Sequence, residues 1–236
     1  MARTWKILSA LLCYPDSELQ AAAPDFPPIL AEEALLPRPV RRRLDRLIGE
    51  LASGDPIDLQ ERYVLRFDRN RSLSLHLFEH VYGESRDRGQ AMVDLAAGYE
   101  AAGLRIAGRE LPDFLPLFLE YLSLLPAREA GAHLADTAHI VAVLDERLRR
   151  RRSPYAAVFE ALRALAGRGV DKEALSELRD APDDDPGDLE ALDRAWEDAP
   201  VTFGPGAGGC MKTQDILAGI GGPAAAGATT AREAGS

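Results

Sequence analysis

Apolar residues recur every three or four positions through almost the whole chain, and this spacing limits the fold more than any motif does. Val40, Leu44, Leu47, Ile48 and Leu51 stand at i, i+4, i+7, i+8 and i+11, a one-sided helical stripe. Gly54 ends it, and Asp55-Pro56 reads as an N-cap followed by proline at the first helical position, opening a helix with Leu59, Tyr63 and Phe67. Thr4 reads as the cap of a first helix bearing Trp5, Leu8, Leu11 and Leu12, stopped by Pro15. Leu111–Pro126 is apolar on nearly every side, the mark of a central helix. No stretch keeps the two-residue alternation of a strand, so the chain reads as all-α.

The remaining punctuation fits that reading. Pro24, Pro27, Pro28, Pro37 and Pro39 mark an irregular connector. Ser72 and Ser85 read as caps of two successive helices, with Gly83 ending the first and Gly103 the second. Leu134, Val141, Leu144 and Leu148 read as one helix running to an arginine cluster, and Ser153-Pro154 starts another that Gly167 closes. The expected architecture is a single-domain helical bundle of about eight or nine helices over residues 1–200. Leu189, Leu192 and Trp196 make its last short stripe. Residues 201–236, rich in Gly and Ala, read as a flexible C-terminal tail too poor in apolar surface to offset ordering entropy.

Composition excludes several function classes. A net charge of −10 argues against nucleic acid and anionic membrane, since phosphate binding needs a basic face. The arginine groups at 38, 41–43, 147 and 149–152 read as solvated faces or helix C-terminal turns. Two cysteines, Cys13 and Cys210, lie far apart without metal-knuckle spacing, which fits a reducing compartment. No apolar run reaches the ~20 residues that span a bilayer, and the short run Ile7–Tyr14 reads as an amphipathic helix rather than a leader. Gly204–Gly209 follows no strand and reads as a linker, not a phosphate-cradling loop.

Ser72–Leu95 carries the densest chemistry. His76-Leu77-Phe78-Glu79-His80 fits the inverted zincin pattern H-x-x-E-H, in which two imidazoles one helical turn apart share a zinc and the glutamate acts as base. The competing reading is a pair of imidazoles facing a neighbouring helix. Glu84-Ser85-Arg86-Asp87-Arg88-Gly89 alternates in sign across a turn, as ion pairs or as a polar rim facing a partner. Glu110-Leu111-Pro112-Asp113-Phe114-Leu115-Pro116 forces one tight approach to the central helix.

These segments are similar to a known family. Leu11-Leu12-x-Tyr14-Pro15-Asp16, Tyr63-x-x-x-Phe67-Asp68, Ser74-Leu75-x-Leu77-Phe78-Glu79-His80-Val81-x-Gly83 continuing from Glu84 through Leu95, and Glu110-Leu111-Pro112-Asp113-x-Leu115-Pro116-Leu117 closely resemble the NarJ-type chaperones. These are the delta-subunit-like assembly factors of respiratory nitrate reductase, within the TorD-like redox-enzyme maturation proteins. The resemblance is densest over Tyr63–Pro126 and extends weakly over about residues 4–200.

It implies a cytoplasmic, all-helical, non-enzymatic protein that binds no cofactor stably and acts on a molybdenum-cofactor enzyme. Its partner would be the N-terminal segment of the nitrate reductase catalytic (alpha) subunit, held until the molybdenum cofactor is inserted and the enzyme docks at the membrane. That segment resembles a twin-arginine signal, so an acidic groove with an apolar floor would suit it. Carried onto this chain, the candidates are Tyr63, Phe67, Asp68, Phe78, Glu79, His80, Glu84, Arg86, Arg88, Glu110, Asp113 and Glu120. Glu79, Glu84 and Asp113 would offer acceptors, Tyr63, Phe67 and Phe78 the floor or its support, and His80 a pH response. The alternatives are a chaperone of another molybdoenzyme and a zinc-dependent hydrolase built on His76, Glu79 and His80.

Overall fold

In the computed structural model, residues 2–81, 86–106, 108, 110–167 and 172–180 are described, with backbone only at 86, 172 and 180. They lie within one unit, Met1–Asp188. Twelve α-helices run through them: α1 Arg3–Leu11, α2 Ser17–Ala22, α3 Phe26–Glu33, α4 Arg38–Ser53, α5 Pro56–Tyr63, α6 Leu77–Val81, α7 Arg86–Ala101, α8 Leu115–Leu124, α9 Ala127–Asp136, α10 Ala138–Arg150, α11 Ala156–Ala166 and α12 Lys172–Asp180. The all-α reading is right, and the helices outnumber those expected. The proline-rich connector folds into a 3-10 turn, Ala23–Asp25, and the short α3, α2 forms ahead of it, and the helix expected through Leu134–Leu148 breaks at Thr137 into α9 and α10. The expected Leu189–Trp196 stripe, the tail and the boundary near residue 200 lie outside the described residues.

The stripe of α4 is buried as its spacing requires, and α4 packs on α2, α3 and α11. The all-round apolar segment becomes α8, which packs on α1, and the buried Ser9 hydroxyl donates to the Pro116 carbonyl at 2.7 Å. The Pro112 carbonyl, just before α8, likewise accepts from the Tyr99 hydroxyl at 2.7 Å. The second half of the unit packs α10 against α11 and α12, with α9 beside α11.

The helix ends follow local chemistry in part. Asp55 caps α5 by accepting from Ile57 N at 2.9 Å, and Gly103 and Gly167 take positive φ just beyond α7 and at the end of α11. The first helix differs from expectation. Thr4 does not cap it; Glu33 of α3 does, accepting from Arg3 N at 2.7 Å and Thr4 N at 2.8 Å. Ser72 likewise does not cap α6, which begins at Leu77. It sits in a 3-10 turn, Arg71–Leu73, that Asn70 caps by accepting from Ser72 N at 3.0 Å.

The arginine cluster also departs from the solvated reading. Arg147 is buried and donates to the carbonyls of Ser72 at 2.8 Å and Leu178 at 2.9 Å, joining α10 to the 3-10 turn and to α12. The buried carboxylate of Asp145 accepts from Arg149 and Arg163, each at 2.7 Å.

Candidate functional site

The end of α5 sets up the site. After Tyr63 the chain widens into a π-helical turn, Val64–Asp68, closed by Arg69 N donating to the Val64 carbonyl at 3.0 Å. Such turns cluster at functional sites, because one extra residue re-aims the side chains that follow. Here Phe67 turns inward and Asp68 outward. Phe67 packs on Tyr63 and edge-on to Tyr155, with ring centroids 5.1 Å apart in both pairs. The Tyr63 hydroxyl donates to the Leu12 carbonyl at 2.9 Å, and burial pushes its pKa up.

Asn70, at 2% exposure, then redirects the chain into the extended stretch before α6. There His76 pairs with Phe114 in an antiparallel bridge: Leu77 N donates to the Asp113 carbonyl at 3.0 Å and Leu115 N to the Leu75 carbonyl at 2.8 Å. The bridge brings the H-x-x-E-H segment against the E-L-P-D segment, though 37 residues separate His76 from Asp113.

Asp113 is the hub of this junction. It is fully buried, and its carboxylate accepts from His76 Nδ1 at 3.2 Å and from Phe78 N at 3.1 Å. Arg88 Nη2 stands 3.8 Å from the same carboxylate and 3.5 Å from Glu79 Oε1. The hydrogen bond to Asp113 pushes the His76 pKa up, against its partial burial. The His80 pKa moves down, because burial outweighs the bond that Nε2 donates to the Ser74 carbonyl at 2.9 Å.

Beside the junction lies an open groove of about 440 Å³, lined by Phe67, Asp68, Arg69, Asn70, Arg71, Ser74, His76 and Glu79. Three expected residues meet there: Phe67, Asp68 and Glu79. Phe78 and Arg88 adjoin it through Asp113 and Glu79, and Tyr63 backs Phe67. Glu110 and Glu120 are exposed but do not line it. Glu84 and the side chain of Arg86 lie outside the described residues, as does the Gly83–Ser85 turn.

Three expectations change. The groove is charge-balanced rather than acidic, with Asp68 and Glu79 set against Arg69 and Arg71. Asp113, buried and bonded within the chain, supports the site instead of offering an acceptor to a partner. His80 turns its ring to the chain's own backbone, and the imidazole on the groove is His76, which was absent from the twelve candidates. The H-x-x-E-H match was its signal in the sequence, but Asp113 as its partner had none.

The same geometry removes the basis of the zinc reading. Helix α6 begins only at Leu77, so His76 lies in the bridge and the two imidazoles do not share a helical face. Among the described residues, no three His, Cys, Asp or Glu side chains converge as a metal's donors would. No helix among them is long and apolar enough to cross a membrane.

Residues 33–161, more than half of the chain, match the family model described as nitrate reductase delta subunit. The chain is 46% identical over 199 residues to the nitrate reductase molybdenum cofactor assembly chaperone NarJ of Escherichia coli (strain K12), covering 84% of this chain and 83% of that one. It is 40% identical over 198 residues to the probable nitrate reductase molybdenum cofactor assembly chaperone NarW of the same organism, covering 84% and 82%. Against the probable NarJ of Bacillus subtilis (strain 168) it is 33% identical over 161 residues, covering 68% and 86%. The relatives are named as assembly chaperones rather than catalysts. By this match over more than half of its length and its identity to these relatives, the chain belongs to the nitrate reductase delta subunit family.

Proposed function

We propose that this chain is a cytoplasmic assembly chaperone of respiratory nitrate reductase. It would bind the N-terminal segment of the catalytic subunit and hold the apoenzyme until the molybdenum cofactor is inserted. The observation that carries this reading is 46% identity across more than four fifths of both chains to a nitrate reductase molybdenum cofactor assembly chaperone.

The groove beside the Asp113 junction supports it physically. Phe67 provides an apolar wall and the paired aromatics behind it make that wall rigid. Asp68 and Glu79 are the acceptors for basic side chains of the segment, while Arg69 and Arg71 suit its acidic groups or carbonyls. A net charge of −10 draws a basic segment from a distance, and the local pairs set its register. The chain's own work is to bind, orient and release; the redox chemistry belongs to the enzyme it assembles.

Calorimetric titration with a synthetic peptide of the catalytic subunit's N-terminal segment tests this. Wild type should bind it, and Asp68→Lys and Glu79→Lys should each weaken binding at least tenfold with the fold intact. Undiminished affinity in both variants would overturn the groove assignment. A pull-down that captured a different molybdoenzyme's catalytic subunit, and no nitrate reductase, would overturn the choice of client.

A further inference from the structure

Arg88 lies against Glu79, the groove's acceptor. Its guanidinium lies 3.5 Å from Glu79 and 3.8 Å from Asp113, both longer than the ~2.7–2.9 Å of a well-formed charge-assisted bond. Its Nε is buried and has no hydrogen-bond partner among the described residues. The arginine is therefore mostly withdrawn from water, at 21% side-chain exposure, without the bonding that would compensate. Glu79, its partner, forms part of the groove wall.

The helix that carries Arg88 is held loosely. Of the fifteen residues of α7 whose side chains are described, only Tyr99 is fully buried. Its hydroxyl donates to the Pro112 carbonyl at 2.7 Å, near the C-terminal end of the helix. The stripe between Arg88 and Tyr99 is half-buried and built largely of small residues: Ala91, Met92, Leu95, Ala96 and Gly98. Tyr99 thus anchors one end of α7, while the imperfect Arg88 pair holds the other.

From this geometry we infer that the Arg88–Glu79 pair is an autoinhibitory contact, in which Arg88 occupies the carboxylate that a basic side chain of the client takes over on binding. This rests on the peptide-binding reading above. A client guanidinium that bonds Glu79 more directly displaces Arg88, which keeps Asp113 as its counter-ion, so no charge is stranded. The contact lowers apparent affinity by the fraction of chains in which Glu79 is free, and it screens out segments that lack a basic residue at that register.

The test is calorimetry with the N-terminal peptide of the catalytic subunit and a control peptide whose Arg and Lys are replaced by Gln. Arg88→Gln should bind the basic peptide about two- to fivefold tighter, the range expected of one partly exposed ion pair. The gain should vanish in Glu79→Gln/Arg88→Gln relative to Glu79→Gln, and with the control peptide. A merely structural Arg88 predicts the opposite sign, weaker binding in Arg88→Gln, and that result or no change overturns the inference. Should Arg88→Gln fold poorly, hydrogen exchange on wild type decides: saturating peptide should speed exchange at the first turn of α7, and unchanged or slowed exchange overturns it. A wild type that does not bind the peptide sinks both readings, whereas one that binds without the Arg88→Gln gain sinks only this one.

Discussion

Asp113 and His76 meet side chain to side chain at 3.2 Å, the carboxylate fully buried and the imidazole a quarter exposed on the groove wall. This pair joins the two segments that carry the family resemblance. The carboxylate also accepts from Phe78 N, so removing it strands two donors at once. Asp113→Ala should cost about 3–5 kcal/mol, as for breaking a buried charged pair, and Asp113→Asn less. Urea unfolding measures it, and a loss below about 1 kcal/mol would contradict the hub role.

The two histidines should respond to pH with opposite signs. The folded pKa of His76 is raised, so its contribution is fully present below the unfolded value of ~6.5 and is lost as pH rises through the folded value. The folded pKa of His80 is lowered, so it destabilises the fold as pH falls below ~6.5 toward that folded value. Urea midpoints followed from pH 8 to pH 5 should fall more steeply in His76→Gln than in wild type, and less steeply in His80→Gln. Slopes that change in the same direction would refute the assignment.

Glu33 caps a helix that lies about thirty residues before it. Its carboxylate takes Arg3 N, Thr4 N and the Thr4 hydroxyl, so Glu33→Ala should cost about 1–2 kcal/mol. Burial pushes its pKa up, but the hydrogen bonds from Thr4 and Arg3 outweigh it and the net shift is down. The contribution is therefore present above its ordinary carboxylate pKa and lost as pH falls through the lowered folded value. Thermal melts of Glu33→Ala and wild type should differ most at neutral pH and converge in acid.

Arg147 donates to two backbone carbonyls on different elements, geometry that a lysine ammonium cannot copy. Arg147→Lys should destabilise by about 2–3 kcal/mol and Arg147→Ala by at least as much. Limited proteolysis should then cut first near α12, which Arg147 holds through the Leu178 carbonyl. Cutting that begins elsewhere would disprove this tie.

Cys13 should be a slow nucleophile. Burial, with the nearby charges of Glu120, Asp16 and Glu110, pushes its thiol up to about 11. The nucleophilic thiolate is therefore scarce at neutral pH. In a Cys210→Ser background, iodoacetamide at pH 8 should label Cys13 at least tenfold more slowly when folded than in urea. Equal rates would show an accessible thiol.

The elements show why some features were legible in the sequence and others were not. Helix α4 could be read directly, because its stripe and its closing Gly54 are local, and the same holds for Asp55 capping α5. Thr4 and Ser72 misled: both are capping residue types, yet Glu33 and Asn70 do the capping, and the sequence does not say which acceptor wins. The H-x-x-E-H match assumed a continuous helix, and the bridge between His76 and Phe114 breaks it. The twelve site candidates came from a family pattern, which marks segments rather than orientations. Phe67, Asp68 and Glu79 line the groove, while Asp113 turns inward.

By itself, then, the sequence determined the all-α class, the burial of most of α8 and the helix ends marked by Gly54, Asp55 and Gly167, since apolar spacing, prolines and glycines act over one or two turns. Only the tertiary structure decided what Asp113, His76, Arg88 and Arg147 do. Each takes its role from a partner on another segment, and burial decides whether a charge faces a client or holds the chain together.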